Sequence, residues 1–225
     1  MGRYSTEISV QPQQNNDKPA NQLNNNFQQN YNWPDNFPLT LISVDLNGTL
    51  IEDNLLTGPQ SVNVLPGVLE SIRLLRLKGH KFFILSDQPE IGTGKLSVQQ
   101  YEQSFEYLMK LFGDAGIQTI DGMLYNNTNL KNDEFAKPNT GMIKRAENQI
   151  FQGIKFKGGY HVGDSIEDLK MADKARMQPV LVLTGKGINA EKELQKYSNK
   201  ELKKKTLIFT SFVEFAQHIL KLGAA

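Results

Sequence analysis

A short, largely apolar run rich in branched side chains occupies positions 39–44, and the chain then turns polar at Asp45, Asn47 and Thr49. Apolar side chains on nearly every position, rather than on alternate ones, predict a strand buried on both faces. Helical spacing follows at Val68, Leu69, Ile72 and Leu75, which predicts a helix over 66–78 with Gly79 as its stop. The run 81–85 reads as a second buried strand. A long helix is predicted from Ser97, with Gln100 placed for a capping box, an apolar side through Tyr101, Phe105, Leu108, Leu111 and Phe112, and Gly116 at its close. Then come a strand at 120–125, a helix at 140–151, a short strand at 160–162 ending in Gly163 and Asp164, a helix at 166–175 and a strand at 180–183. A last strand at 207–209 precedes a helix capped by Ser211 with Glu214, carrying Phe212, Phe215, Ile219 and Leu220. No internal repeat is visible.

This alternation implies an α/β fold, a doubly wound Rossmann-like parallel sheet with helices on both faces. In such sheets ligands sit outside the carboxyl ends of the strands, so polar residues at those ends carry the candidate chemistry. The domain is expected over 37–225. Positions 1–36 are rich in Gln and Asn and poor in branched apolar side chains, and such a segment buries too little surface to offset its ordering entropy. It is read as a disordered arm, either passive or a docking arm for a protein partner, with Trp33 and Phe37 able to pack where the fold begins.

Composition narrows the picture by exclusion. The 225 residues carry 25 basic and 24 acidic side chains, a net charge of +1, so nothing calls for nucleic acid or an anionic membrane as partner. There is no cysteine, which removes disulfides and thiolate-bound zinc. No stretch is long and apolar enough for a membrane span, and the N-terminus lacks the apolar core of a secretory signal. A cytoplasmic protein is the expectation.

Four strand ends or adjoining loops carry polar groups in order: Asp45; Ser86 and Asp87; Lys137 in "AKPNTGM"; and Asp164 with Ser165, Asp168 following one helical turn on. An Asp after a strand is commonly a cap or turn residue, and a lone Lys-Pro is commonly a solvated loop. Together at one sheet edge they suit phosphoryl transfer through an aspartyl intermediate. Asp45 as nucleophile is ionised near neutrality without an activating base. Asp45 and Asp164 offer the hard oxygens that suit Mg²⁺. Ser86, the polar end at Asp87 and the backbone amides around Gly48 and Thr49 would hydrogen-bond phosphate oxygens. Lys137 would add positive charge where negative charge builds, and Gly48 permits a tight turn beside the nucleophile.

The motifs "DLNGT", "ILSDQ", "AKPNTGM" and "HVGDSIED" resemble the four motifs of the haloacid dehalogenase superfamily of phosphohydrolases. "DQPEIGTGKLS" and "VLVLTGKG" resemble, within it, the D-glycero-D-manno-heptose 1,7-bisphosphate phosphatases and related histidinol phosphatases. The resemblance implies Mg²⁺ held by Asp45, Asp164 and the backbone carbonyl of Asn47, a minimal loop-type cap, and a small phosphorylated metabolite such as a sugar phosphate as substrate. The short spacing between the first two motifs independently favours a small cap. Asp168, with Ser165 beside it, would orient Lys137 or a metal-bound water.

Three departures stand out. The family places an Asp at position 47 as general acid and base; Asn47 cannot carry that proton. The subgroup's zinc loop is here "YNNTNLKNDEF", with no Cys or His, so no zinc is expected. Ala136 stands where an Arg often precedes the motif lysine. Three readings therefore remain open: a phosphatase of reduced rate, a pseudoenzyme that binds a phosphorylated ligand or protein partner, or a phosphotransferase whose aspartyl phosphate outlives attack by water. Asn47-Gly48 is also the dipeptide most prone to deamidation, which would restore an acid. His161 reads as structural, His80 and His218 receive no role, and Lys95 and Lys186 are loop lysines within reach of an anionic substrate. The charged run "KELQKYSNKELKKK" reads as a solvated helix or loop.

Overall fold

The computed structural model describes residues 40–196 and 200–222; the Gln/Asn-rich arm at 1–36 lies outside them. Six strands form one sheet: β1 (Leu41–Val44), β2 (Lys81–Asp87), β3 (Gly122–Asn126), β4 (Tyr160–Gly163), β5 (Gln178–Val182) and β6 (Leu207–Phe209). Their order is β3-β2-β1-β4-β5-β6, and every neighbouring pair is parallel. The chain winds outward from β1 in one direction and then restarts at β4 in the other. The reversal falls between β1 and β4, where loops leaving the carboxyl ends diverge and open a crevice.

Eight helices connect the strands among the described residues: α1 (Val68–Leu77), α2 (Pro89–Gly92), α3 (Val98–Asp114), α4 (Gly141–Arg145), α5 (Ile166–Lys174), α6 (Gly187–Lys196), α7 (Lys200–Lys205) and α8 (Phe212–Leu222). Strand alternation sorts the core into layers. On β2, Phe82 and Ile84 join a cluster with α1, α3 and α8, whereas Phe83 and Leu85 face Met142, Ile143, Met171 and Ala172 on α4 and α5. Leu181 of β5 meets Ala190, Leu194 and Leu202 on α6 and α7. Both faces of the sheet are covered, which explains why its strands read as nearly continuous apolar runs.

The predicted elements are present, with informative differences. Strand β2 runs two residues beyond its apolar stretch because its ladder with β3 continues through Ser86 and Asp87. The helix expected over 140–151 is α-helical only to Arg145 and then widens to a π turn over Ala146–Ile150. The Ser97–Gln100 capping box on α3 forms in both directions. The box expected at α8 forms in one direction: Ser211 Oγ accepts the Glu214 N–H at 3.4 Å, while the Glu214 carboxylate accepts from the Thr210 amide and hydroxyl, one residue earlier than Ser211. Three helices gave no clear sequence signal. Helix α2 is a single turn, and α6–α7 fall in and around the charged run, where Leu194 and Leu202 are the buried anchors.

Between β1 and α1 the chain forms only a loop, with isolated bridges Asn47–Ile51 and Ile51–Val64 and one 3₁₀ turn at Pro59–Ser61. This is the small loop-type cap. No helix among the described residues is long and apolar enough to cross a membrane.

Candidate active site

Asp45 is the first residue past β1, yet its N–H still donates to Val162 O of β4 at 2.8 Å, so the ladder holds its backbone in place. Lys137 arrives from the loop after β3. Its Nζ lies 2.5 Å from Asp45 Oδ1 and 2.8 Å from Asp168 Oδ1. Asp164 follows β4 directly. Carboxylate oxygens of Asp45, Asp164 and Asp168 lie within 4.8 Å of one another, and all three residues are buried. Three segments distant in sequence thus deliver four charged side chains to one point at the carboxyl edge.

The charges are strongly coupled. Burial pushes the Asp45 carboxyl up, to about 8, with Asp168 and Asp164 adding to the rise and Lys137 opposing it. Burial and then the Asp168 charge raise Asp164 to about 6. Burial also disfavours a charged Asp168, but Lys137 and His161 outweigh it and hold the carboxyl well below the usual range. Burial works to lower Lys137, yet the carboxylates of Asp168, Asp45 and Asp87 keep it firmly protonated. The nearby lysines thus do not offset burial and the neighbouring carboxylates at Asp45 and Asp164. Crowded, buried hard-oxygen donors of this kind fit Mg²⁺, whose charge would let both ionise.

The Asp164 carboxylate is enclosed by backbone. Its Oδ2 accepts the Lys186 N–H at 2.7 Å. A Cβ added at either Gly48 or Gly185 would come within 2.1 Å of that oxygen, and both residues have positive φ, 77° and 54°. Gly48 was legible in the sequence as a turn residue; Gly185 was seen only inside a longer resemblance, because its partner across the crevice is far away in the chain.

Position 47 is held on both sides. Asn47 Nδ2 donates to Asn54 O at 2.9 Å, and Asn47 Oδ1 accepts from Gln88 Nε2 at 2.7 Å. Gln88 Nε2 also donates to Ser86 Oγ at 2.9 Å. The donor and acceptor pattern suits an amide and has no exchangeable acid. The Gly48 N–H donates to Ile51 O at 2.8 Å. This nitrogen would have to attack the Asn47 side chain for deamidation, so the turn opposes the conversion that the bare dipeptide suggests.

Three expected phosphate contacts are placed differently. The Gly48 and Thr49 N–H groups are directed at Ile51 and Leu46 carbonyls inside the turn, and the Thr49 side chain is fully buried. Asp87 Oδ2 accepts the Lys137 N–H at 3.0 Å, so this carboxylate fastens the lysine loop, the task an anion suits better than meeting phosphate. Ser86 is buried beneath Gln88, which itself lines the crevice. Ser165 and Asp168 form a reciprocal capping box at the start of α5, a Ser-x-x-Asp signal present in the sequence. One carboxylate thus caps a helix and anchors Lys137.

His161 has more than a packing role. It is fully buried, with Nδ1 2.8 Å from Ser43 Oγ and Nε2 3.1 Å from Asp168 Oδ1. The chain Ser43–His161–Asp168–Lys137–Asp45 runs from the buried β1–β4 pair to the carboxyl edge of the sheet. Sequence reading missed the link because pairing of β1 with β4 creates it.

Asp45, Asn47, Lys137, Asp164 and Asp168 line a cavity of about 480 Å³. Its outer wall comes from Asp53, Asn54 and Leu55 of the first loop and from Pro89 and Glu90 of α2. Lys186 lines it too, with Nζ 3.2 Å from Asp53, so the loops after β1 and β5 meet across its mouth. Lys95 is exposed and outside the lining.

The family model described as "HAD-hyrolase-like" matches residues 134–214. The chain is 27% identical over 190 residues to a D-glycero-beta-D-manno-heptose-1,7-bisphosphate 7-phosphatase of Neisseria meningitidis, covering 83% of this chain and 98% of that one. It is 29% identical to the protein of the same name from Haemophilus ducreyi, covering 79% and 97%. In three dimensions it is similar to D,D-heptose 1,7-bisphosphate phosphatase from B. bronchiseptica, solved with magnesium and phosphate: the TM-score is 0.72 at 21% identity, over 82% of this chain and 99% of that one. The corresponding enzyme from Burkholderia thailandensis matches with a TM-score of 0.60 at 23% identity, over 80% and 98%. The chain thus resembles these phosphatases over about four fifths of its length.

Proposed function

We propose that this protein is a Mg²⁺-dependent phosphatase of a small phosphorylated metabolite, a sugar phosphate, acting through a phosphorylated Asp45. The observation that carries the proposal is the buried Asp45–Lys137–Asp168 array with Asp164 facing it at the sheet's switch point. The similarity to heptose-bisphosphate phosphatases, one of them solved with magnesium and phosphate, supports both the reaction class and the metal.

Asp45, Asp164 and the Asn47 carbonyl would hold the cation, which supplies charge neutralisation between carboxylate and phosphate. An Asp45 oxygen attacks phosphorus, and the bond from phosphorus to the leaving alcohol breaks. The ammonium of Lys137 lies against the attacking carboxylate and balances charge on the transferring group. Asp168, held by Ser165 and His161, keeps that ammonium in place. The departing alkoxide takes its proton from solvent, since Asn47 has none to give. Water then attacks phosphorus, its proton goes to solvent, and the Asp45–phosphorus bond breaks to free phosphate.

The fixed Asn47 amide favours a second reading for the last step. Losing a general acid–base costs about 10²–10⁴ in rate, so the phosphorylated Asp45 lasts longer and can pass its phosphoryl group to an alcohol instead of water. Phosphate release from sugar, acyl and aryl phosphates, with and without Mg²⁺, tests the primary reading. Turnover that needs Mg²⁺ and vanishes in Asp45→Asn is expected. Metal-independent turnover that survives Asp45→Asn would remove it. Phosphoryl transfer to an added alcohol in place of phosphate release would select the second reading.

A further inference from the structure

The cavity's charge is lopsided. Carboxylates of Asp53, Asp87, Glu90 and Glu167 line it together with Asp45, Asp164 and Asp168, whereas Lys137 and Lys186 are the cations in the lining. Both lysines are committed. Lys137 is held between Asp45 and Asp168, and Lys186 is paired with Asp53. Mg²⁺ together with Lys137 can balance one phosphate against the inner carboxylates. Nothing similar remains farther out. Glu90 sits in the first turn of α2 on the outer wall, with no ion-pair partner among the described residues, and Glu167 has only Lys170 at 3.9 Å. A second phosphate, carrying about two more negative charges, would meet carboxylates in a confined space where like charges repel strongly.

Resting on the phosphatase reading above, we propose that the acidic outer wall, Glu90 first, makes this site selective for a phosphate monoester whose far end carries no second phosphate, and best an ammonium group such as that of an amino sugar. The chain would then differ in substrate class from the relatives whose names specify a bisphosphate. Glu90 acts on specificity and not on the reacting atoms. Its backbone carbonyl accepts from the Lys95 and Leu96 amides, so a substitution of the side chain leaves the turn's own hydrogen bonds in place.

The test measures binding and turnover separately. Calorimetry with Mg²⁺ and the Asp45→Asn protein compares a hexose monophosphate, the matching bisphosphate and the matching amino-hexose monophosphate. The monophosphate is expected to bind about tenfold or more tighter than the bisphosphate, and the amino sugar tighter still. Adding Glu90→Lys should shrink or reverse both differences, and Glu90→Gln should have an intermediate effect. Bisphosphate binding equal to or tighter than monophosphate binding would overturn the proposal, as would a preference unchanged by Glu90→Lys. Turnover of an aryl phosphate with no distal charge by the unsubstituted protein, dependent on Mg²⁺ and lost in Asp45→Asn, reports on the phosphatase reading alone.

Discussion

At the scale of single residues, the proposed mechanism turns on an amide at position 47, where it would call for an acid. Asn47 is fixed by a donor on one side and an acceptor on the other. An Asp in that place keeps its contact with Asn54 O only when protonated, while its other oxygen can still accept from Gln88. The surroundings therefore favour the acid form that a leaving group needs. Asn47→Asp should raise steady-state phosphate release by about 10² or more; an unchanged rate would mean that proton transfer at this position does not limit turnover. Lys137 is the reciprocal case. Lys137→Met removes the cation between two buried carboxylates. Turnover should fall by at least about 10², and stability by about 3 kcal/mol at pH 7. Part of that stability should return in mild acid, where the orphaned carboxyls take up protons. Chemical denaturation at two pH values reads both effects. The sequence displayed Asp45 and Asp164 openly, since each directly follows an apolar strand run, and Lys137 and Asp168 through the motifs around them. It hid Gln88 and His161, whose partners are set by strand pairing rather than by spacing.

Among the secondary-structure elements, stability and pH response come from how strand starts and helix ends are tied. His80 precedes β2 and is buried, and its Nδ1 accepts the Thr40 N–H. Burial, with the Lys78 and Arg76 charges adding, lowers its pKa to about 4 from an ordinary value near 6.5. The folded state holds His80 neutral, so the unfolded chain binds the extra proton first. This contribution is complete above pH 6.5 and is lost as pH falls toward 4, amounting to about 3 kcal/mol over that window. The raised carboxyls of Asp45 and Asp164 act in the opposite direction, so the comparison must be made against a variant. Urea unfolding at pH 7 and pH 5 should show a larger acid loss for the parent protein than for His80→Asn; equal losses would mean that His80 is not kept neutral. His80 drew no assignment from sequence because a histidine before a strand has no periodic signature. Capping of α3 by Ser97 and Gln100 was fully legible, being local. Helix α4 was legible as a helix, but its widening to a π turn was not, since apolar spacing at Met142, Ile143, Ala146 and Ile150 suits either winding.

For the molecule as a whole, parallel strands ordered around the β1–β4 reversal turn sequence order into a single site. The alternation of apolar runs and helical periods was enough to name this sheet class, and the rule that ligands sit at carboxyl ends was enough to select the edge. What the chain did not reveal was the cavity's outer wall. Asp53 and Lys186 come from the loops after β1 and β5 and Glu90 from α2, and nothing in their spacing along the chain brings them together. Phosphorylation of Asp45 is the claim on which the mechanism stands, and the loss of an acid at position 47 should make the phosphorylated form persist long enough to trap. The protein would be mixed with Mg²⁺ and an acyl phosphate, quenched in acid within a turnover, and digested for peptide mass spectrometry. One phosphoryl group on the peptide containing Asp45, absent without Mg²⁺ and absent in Asp45→Asn, is the expected result. Steady phosphate release with no phosphorylated Asp45 at any quench time, and retained by Asp45→Asn, would contradict it.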